Sequence, residues 1–319
     1  MKRKKVLSFL RFFVFLCNFA SCMIQELSIL IPVYNGNVYS NVKQLCSLCE
    51  RIAIDAPSPF KYEILVADDG SEHKEMVEAN KVINQIPNCR YIIKEQNSGS
   101  AATRNFLASQ SQYEWLLFMD CDMEIPGMDY IMRYLPYDQT EVTNGGIKVG
   151  ACHETHRHNL RYLYEKSAEL THTVDKRQSA GFQEFRSANF LIRRSCILSH
   201  PFDERFLKSG YEDVSLGKTL YEAGASITHI DNPLLICDFE DNMNFIEKTE
   251  RNLTTLFLFR KDLKGYSRLI DYRNSILHIP IRLWHTIFGD LERKNLIGKY
   301  PRLWLFSLYK VGFYCSLKD

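Results

Sequence analysis

No stretch of this 319-residue sequence reaches the run of about 18 uninterrupted apolar residues that indicates a membrane-spanning helix. The sequence also has no internal repeat and no low-complexity tract, which excludes repeat arrays and long unstructured linkers. The formal net charge is only +2, which argues against a nucleic-acid-binding protein. Ten cysteines follow no regular spacing, which is typical of buried thiols in a reducing compartment and not of a disulfide framework.

Two small clusters of metal-ligating residue types remain. Cys46 and Cys49 lie in a predicted helix with no second close pair elsewhere, so zinc or redox chemistry is not favoured there. His153, His156 and His158 lie in the polar stretch CHETHRHN, which favours a surface loop over a metal site. What the sequence has in quantity is apolar side chains: 45% of the residues are hydrophobic, enough for one large core or two modest ones.

Charge is distributed unevenly along the chain. Residues 1–22 carry five basic and no acidic residues, and residues 261–319 carry 11 basic and 5 acidic ones, so the section between them is net acidic. Basic, aromatic ends on an acidic body predict peripheral contact of the termini with an anionic membrane surface, and solvated terminal helices are the alternative. For 261–319, an amphipathic element lying on a membrane and a helical cap packed on the core both stay open.

The N-terminal segment 1–22 begins with basic residues, continues with apolar ones and ends with small ones, as a signal peptide does. Arg11 interrupts its apolar part, which is too short to span a bilayer comfortably. Three interpretations stay open: an export signal, an interfacial anchor, or an upstream start codon with translation beginning at Met23.

Short apolar runs alternate with segments of helical spacing in the first part of the chain. This alternation indicates a mainly parallel sheet with right-handed crossovers. Two later segments, 185–192 and 227–235, also predict strands, whereas the polar, histidine-rich stretch 150–180 predicts loop and helix. The first four predicted strands are 27–33, 62–67, 90–94 and 115–119.

Polar side chains follow three of these strands at the point where each strand ends. In sheets of this kind, ligands bind beyond the carboxyl ends of the strands, so the three groups predict one site. The groups are Tyr34-Asn35, Asp68-Asp69 and Asp120-Cys-Asp122.

The Asp-x-Asp pair comes directly after the apolar strand LLFM. In a strand, Asp120 and Asp122 point to one face, and two carboxylates so placed can hold a hard divalent cation. Burying them beside Phe118 and Met119 with no cation or other partner would be costly. The sequence therefore predicts a divalent metal site at this strand end.

Six motifs occur in the order ILIPVYNG, ILVADDGS, NSGSAATRN, FMDCDMEIP, FRSANFLIRR and FDERFLKSGYEDVSLGKTLYEAG. Their order and spacing over residues 27–260 resemble family 2 glycosyltransferases of the GT-A fold. The resemblance implies a Rossmann-like α/β fold with a mainly parallel sheet flanked by helices. The predicted parts of the chain are a basic and apolar N-terminal segment (1–22), a glycosyltransferase domain (23–260) and a basic, aromatic C-terminal helical extension (261–319).

The resemblance also implies a nucleotide-sugar donor, with a UDP-sugar favoured, and a divalent metal, Mn²⁺ or Mg²⁺. Asp120 and Asp122 would bind the donor through that metal, Asp122 being the more direct ligand. Asp213 would be the base that deprotonates the acceptor hydroxyl, which implies a single displacement with inversion. The alternative for Glu212 and Asp213 is structural, because acidic groups stabilise a helix amino end. The residues implied around the nucleotide are Pro32, Tyr34, Asn35, Asp68, Asp69, Arg104 and Asp120.

The sequence departs from the family at one metal ligand. Many relatives place a histidine a few residues after the Asn-Pro found here as Asn232-Pro233, and this sequence has none there. Asp238 substitutes, or His229 does, or fewer protein groups hold the metal. The departure weakens the expectation of tight metal dependence and leaves the base and the Asp-x-Asp pair untouched.

We therefore expect a transferase that adds a sugar to a cell-envelope or capsular glycan or to a lipid-linked acceptor. A catalytically silent scaffold is the alternative, but it would be free to lose Asp69, Asp122 or Asp213. A nucleotidyltransferase would have a Gly- and Lys-rich phosphate loop, which IPVYNGNVYS lacks. Because nucleotide-sugars are cytosolic, we expect the protein in the cytoplasm or peripheral on the inner face of the cytoplasmic membrane. We also expect that 1–22 is not a cleaved export signal.

Overall fold

The structure, a computed structural model, describes residues 23–56, 58–207 and 210–318. The expectations for residues 1–22 fall outside this part of the chain and stay predictions. The described residues form a mainly parallel sheet flanked by helices, followed by a C-terminal helical region. The predicted fold class is therefore confirmed.

The described chain contains ten strands and twelve helices, numbered in chain order, besides short 3₁₀ turns. The strands are β1 (Glu26–Val33), β2 (Lys61–Asp68), β3 (Cys89–Ile93), β4 (Trp115–Met119), β5 (Met123–Glu124), β6 (Val142–Asn144), β7 (Ile147–Val149), β8 (Asn189–Arg193), β9 (Ile227–His229) and β10 (Leu234–Ile236). The helices are α1 (Tyr39–Asp55), α2 (Lys74–Asn80), α3 (Ser100–Gln110), α4 (His153–His156), α5 (Leu160–Ala168), α6 (Val174–Ala180), α7 (Arg194–Ser199), α8 (Glu212–Glu222), α9 (Asn242–Leu258), α10 (Arg268–Asn274), α11 (His278–Ile297) and α12 (Leu303–Ser316).

The central sheet has seven strands in the order β3-β2-β1-β4-β8-β6-β9. Of these seven, β8 alone runs antiparallel to its neighbours, and β1 pairs in parallel with both β2 and β4. β2 and β4 are buried along nearly their whole length, as continuous apolar runs predict for strands covered on both faces. The carboxyl ends of β1, β2 and β4 therefore lie side by side at one edge of the sheet, next to the amino end of β8.

Helices cover both faces of this sheet. The positions whose spacing predicted α1 are all buried against one face, which confirms that helix. The layer on the opposite face is rich in aromatic side chains, and the rings of Phe118 and Phe190 stack there with centroids 4.8 Å apart. The four predicted positions are Val42, Leu45, Leu48 and Ile52, and Cys46 and Cys49 are buried beside them.

The predicted single strand over 227–235 is instead two strands in two sheets. β9 pairs with β6 in the central sheet, and β10 pairs with β5 and β7 in a small three-stranded sheet. Asn232 and Pro233 separate them, because proline has no N–H for a ladder and the Asn232 amide donates to the Tyr130 carbonyl at 2.9 Å. The predicted strand at 185–192 begins only at Asn189, and part of the histidine cluster forms the short helix α4 instead of a loop.

The C-terminal helices pack on the core through α5 and α9. The Phe306 ring of α12 lies 5.4 Å from that of Phe245 and 5.3 Å from that of Tyr164. None of the helices in the described ranges combines the length and the apolarity that crossing a bilayer requires. One side of α11 is left uncovered, and its exposed residues, here called the apolar face of α11, are Ile279, Leu283, Trp284, Ile287, Phe288 and Leu291.

Candidate active site

A cleft of about 670 Å³ lies at the carboxyl edge of β1, β2 and β4, where the strand ends predict a site. Its size is that of a small-molecule pocket. Asp68 and Asp213 do not line it, and the positions of these two are described below. The predicted site residues that line the cleft are Pro32, Tyr34, Asn35, Asp69, Arg104, Asp120 and Asp122.

Asn35 ties the turn after β1 to the turn after β2. Its φ of 56° lies in the left-handed region, which asparagine tolerates better than most residues. The Asn35 Oδ1 accepts from the N–H groups of Glu72 (2.8 Å) and His73 (3.1 Å), and the Asn35 N–H donates to Ser71 Oγ (2.7 Å). Beside this junction, the ring of Tyr34 is 43% exposed on the cleft wall.

Asp69 has a carboxylate that the chain itself saturates with hydrogen bonds. It accepts from Lys94 Nζ (2.7 Å), from the N–H and hydroxyl of Ser98 (3.0 and 2.9 Å) and from the N–H of Gly99 (2.8 Å). Burial raises the pKa of Asp69, but the bonds from Lys94 and Ser98 outweigh it and hold that pKa below its usual value. Asp69 is therefore an anchored anion that fastens the loop before α3.

Asp68 is turned into the protein, away from the cleft. One carboxylate oxygen accepts from the Ser71 N–H at 2.7 Å and the other from the Tyr91 hydroxyl. Burial and the contact with Asp68 raise the pKa of Tyr91 above its usual value. Asp68 thus holds the turn after β2, while the adjacent Asp69 faces the cleft.

Arg104 links two acidic groups at the base of the cleft. Its guanidinium is buried, with Nη2 donating to Asp120 Oδ1 at 2.5 Å and Nη1 lying 3.6 Å from Glu212 Oε1. Burial lowers the pKa of Arg104, but Asp120 and Glu212 outweigh it and keep that pKa above its usual value. Its Nε and Nη1 find no hydrogen-bond acceptor among the described residues, so they are available to an anionic group in the cleft.

The Asp-x-Asp carboxylates offer oxygen ligands for a divalent metal. Burial, and then the neighbouring charge of Asp120, raise the pKa of Asp122, which is the kind of strain that a bound cation relieves. Asp238 lines the same cleft, so the donor set is all carboxylate and suits Mg²⁺ or Mn²⁺. Within the described ranges, no three His, Cys, Asp or Glu side chains are gathered closely enough to form a ready-made metal site.

His229, the other candidate for the third metal ligand, lies away from the cleft. It ends β9 at the far edge of the central sheet. Its Nδ1 is 3.1 Å from Arg177 Nη1 and its Nε2 is 2.9 Å from the Gly181 carbonyl, so both ring nitrogens are used inside the protein. The geometry therefore leaves Asp238, or a smaller ligand set.

Glu212 has a structural position at the start of α8. Its carboxylate accepts from Ser100 Oγ at 2.9 Å and from the Gly210 N–H at 2.8 Å. Tyr211, directly before it, has a φ of 69°, a conformation that costs a residue with a Cβ some strain. These contacts join the start of α8 to the start of α3.

Asp213, the predicted base, lies in the first turn of α8. Burial and the charge of Glu212 raise the pKa of Asp213 to about 6, while Arg186 and Arg104 act in the opposite direction. A carboxylate with this pKa is ionised at neutral pH and basic enough to accept a proton during a reaction. Its environment therefore suits general base catalysis.

Sequence reasoning missed two lysines. Lys94 follows β3, so the rule that selected polar residues at strand ends would have selected it too. Lys248 lines the cleft from α9, and nothing in the local sequence distinguishes it from other polar helix positions.

Sequence comparison identifies the family. The profile of the family described as Glycosyl transferase family 2 matches residues 28–197, more than half of the chain. The protein therefore belongs to glycosyl transferase family 2, which confirms the predicted family.

Individual relatives are distant. The chain is 24% identical over 244 residues to a chondroitin synthase from Escherichia coli, an alignment that covers 66% of this chain and 34% of that protein. It is 25% identical over 203 residues to glycosyltransferase AglE from Haloferax volcanii, covering 63% of each. The chain thus spans about one third to less than two thirds of the length of the curated relatives it matches.

A solved structure shares the fold. A mannosyltransferase from Pyrobaculum calidifontis, in complex with GDP-Man and Mn²⁺, superposes with a TM-score of 0.54 over 93% of this chain and 86% of that one. At 13% identity this likeness shows the fold alone. The predicted GT-A architecture is thereby confirmed.

Proposed function

We propose that this protein is an inverting glycosyltransferase that moves a sugar from a nucleotide-sugar to a hydroxyl of a cell-envelope or capsular glycan or of a lipid-linked acceptor. The observation that carries the proposal is the meeting of Asp69, Arg104, Asp120 and Asp122 in one cleft at the carboxyl edge of the sheet. Family membership supports it, as does a protein of the same fold that binds GDP-Man and Mn²⁺.

In this mechanism Asp213 accepts the proton of the acceptor hydroxyl as that oxygen attacks the anomeric carbon. The bond between the anomeric carbon and the diphosphate breaks in the same displacement, so the configuration inverts. A divalent metal, held by Asp120 and Asp122 when bound, supplies charge stabilisation to the departing diphosphate. Arg104 holds Asp120 in place and donates toward the same region.

The stereochemical part of the proposal has a direct test. Proton NMR of the purified product reports the anomeric configuration of the transferred sugar. We expect a β-linked product from an α-linked nucleotide-sugar, and an α-linked product would overturn inversion without affecting the transferase proposal.

We propose a UDP-sugar as the donor and Mn²⁺ or Mg²⁺ as the metal. Thermal unfolding of the full chain with UDP, GDP, CMP or ADP, each with and without MnCl₂, tests both. A ligand at a hundred times its Kd adds about 2.7 kcal/mol of stability, and we expect the largest rise with UDP and Mn²⁺. A larger rise in stability with GDP would contradict the UDP-sugar as donor. A rise with UDP that is the same with and without MnCl₂ would contradict the proposed metal site.

The same measurement tests the transferase proposal itself. Nucleotide binding is necessary for any member of the family that acts on nucleotide-sugars. Absence of stabilisation by all four nucleotides would overturn the proposal and favour a catalytically silent protein that retains the fold.

We also propose that the protein works at the inner face of the cytoplasmic membrane, with the apolar face of α11 on anionic lipid. The exposed apolar side chains and the excess of basic residues in 261–319 support this placement. The full chain should co-sediment with phosphatidylglycerol-containing vesicles. The double variant Leu283→Glu, Ile287→Glu should remain in the supernatant. Ile54→Glu, at an exposed apolar residue of α1, is the control variant and should co-sediment as the wild type does. If the wild type does not co-sediment with the vesicles, the proposed membrane placement is wrong.

A further inference from the structure

A second cavity, of about 390 Å³, is enclosed by β7, α5, α6 and the segment before β8. Most of its charged side chains have partners within the protein. Lys148 Nζ donates to Asp231 Oδ1 at 2.9 Å, Glu169 accepts from a backbone N–H of β7 at 2.7 Å, and Arg177 Nη2 donates to the Ile230 carbonyl at 2.8 Å. These groups form a cavity wall whose hydrogen bonds are already made.

Glu165 and Arg186 differ from the rest of that wall. Both are half-buried and line the cavity, yet neither side chain makes a hydrogen bond or an ion pair within 4.0 Å in the described part of the chain. Their opposite charges still act on each other, each favouring the ionised form of the other. A half-buried acceptor and donor that line one cavity, with no partner in the described part of the chain, are available to a polar ligand that enters it.

The second cavity and the cleft are linked by Asp213 and by a backbone hydrogen bond. Asp213 interacts electrostatically with Arg186 of the cavity and with Arg104 of the cleft. One backbone hydrogen bond also joins the two walls: the N–H of Asp120, in the cleft, donates to the carbonyl of Ala188 at 3.1 Å, and Ala188 is two residues beyond Arg186. The candidate base is thus within electrostatic range of one cation from each cavity.

We propose that this second cavity binds the sugar unit of the acceptor, and that Glu165 and Arg186 select an uncharged unit by hydrogen bonding to its hydroxyl or amide groups. The inference rests on the proposed function and names the acceptor class for it. One unused acceptor and one unused donor suit a neutral ring, whose hydroxyls both donate and accept. An acidic sugar would be attracted by Arg186 but repelled by Glu165, and a basic sugar the reverse, whereas a neutral ring can hydrogen-bond to both without repulsion.

Glycoside binding to the UDP- and Mn²⁺-loaded protein tests the inference. The probes are methyl β-D-glucopyranoside, methyl N-acetyl-β-D-glucosaminide and methyl β-D-glucuronide, titrated by saturation-transfer NMR. We expect the two neutral probes to bind more tightly than the glucuronide. Glu165→Leu and Arg186→Met should each raise the Kd of the neutral probes about tenfold or more, because each removes a hydrogen bond to a charged group.

Two controls separate this inference from folding and from the donor site. Each variant should keep its thermal stabilisation by UDP and Mn²⁺. The double variant Glu154→Gln, Arg157→Met removes an exposed pair of the same charges from the neighbouring surface and should leave every Kd unchanged.

The outcomes distinguish the two proposals. If UDP stabilises the variants but Glu165→Leu and Arg186→Met bind the neutral probes as the wild type does, the cavity assignment is wrong and the transferase proposal stands. Tighter binding of the glucuronide, or no binding of any probe by the wild type, also overturns the cavity assignment. If no nucleotide stabilises the wild type, the transferase proposal fails and this inference fails with it.

Discussion

Each of the two cavities of this protein is lined by a carboxylate, Asp69 in the cleft and Glu165 in the second cavity, and these two carboxylates are paired differently. In the cleft, the carboxylate of Asp69 is saturated by a lysine, a serine and two backbone N–H groups, and Arg104 holds Asp120 at 2.5 Å. In the second cavity, neither Glu165 nor Arg186 makes a hydrogen bond or an ion pair with the described residues. Saturated groups fix the shape of a site, whereas unsatisfied ones are kept for a ligand. If both proposals hold, the donor side of the protein is largely preassembled, and the acceptor side would be completed by what binds there.

The largest effect should come from Asp213, which interacts electrostatically with one arginine of each cavity. Asp213→Asn removes the candidate base without a large change of volume, and we expect kcat to fall by about 10²–10⁴-fold, the contribution typical of a general base. Initial rates of sugar transfer measure this. Stabilisation by UDP and Mn²⁺ should persist in the variant, and a transfer rate within a few-fold of the wild type would contradict the role of Asp213.

The saturated and unsaturated carboxylates should differ in their contribution to folding. Asp69→Asn leaves Lys94 facing a neutral group, and breaking a buried pair in this way costs about 3–5 kcal/mol. Glu165→Gln should cost less than about 1 kcal/mol, because burial raises the pKa of Glu165 and so disfavours its charge in the fold. Urea unfolding of both variants makes the comparison, and equal losses would remove the distinction between the two cavities.

The raised pKa of Asp213 predicts that both stability and activity depend on pH. The pKa of Asp213 is raised from 3.8 to about 6, so the folded protein disfavours its ionised form, and a cost to stability appears as the pH rises from about 4 to 6. Asp213→Asn should therefore raise the unfolding free energy relative to the wild type at pH 7.5 but not at pH 4. In the wild type, kcat/KM should reach half of its plateau near pH 6, because the pKa of Asp213 is about 6, and it should decrease at lower pH.

Asp69 should show the opposite sign. The pKa of its carboxyl is lowered in the fold, so its contribution to stability is present above its ordinary pKa and is lost as the pH falls through the folded value. Asp69→Asn should thus lose most stability at neutral pH and converge on the wild type in acid. A constant difference across pH would show that the carboxylate charge is not the cause.

A pair of glycine substitutions tests how tightly the cleft is assembled. Gly99 has a φ of 90°, and a Cβ there would lie 2.8 Å from the Leu207 carbonyl oxygen, whereas Gly224 has a φ of 75° with nothing within 4 Å of the added atom. Gly224→Ala should cost about 1–2 kcal/mol from backbone strain alone. Gly99→Ala should cost about 1–3 kcal/mol more from overpacking, and it should also weaken UDP binding. If urea unfolding shows equal losses of stability for Gly99→Ala and Gly224→Ala, the loop before α3 can move to accommodate the added Cβ.

Much of the fold was predictable because its signals are local. The apolar runs of β1, β2 and β4 and the helical spacing of α1 lie in consecutive residues, and a run buried on both faces leaves little choice but a parallel sheet. The predicted strand at 227–235 failed for the opposite reason. Its two halves have similar apolar composition, and only their different neighbours assign them to different sheets.

The sequence by itself determined where the cleft is, since polar residues placed after parallel strands must meet at one edge of the sheet. Only the tertiary structure decided that Asp69 faces the cleft while Asp68 bonds Tyr91, and that Glu165 and Arg186 remain unpaired beside it. The physical reason is distance. A hydrogen bond needs its two atoms within about 3 Å, and for side chains far apart along the chain that separation is set by packing, not by sequence spacing.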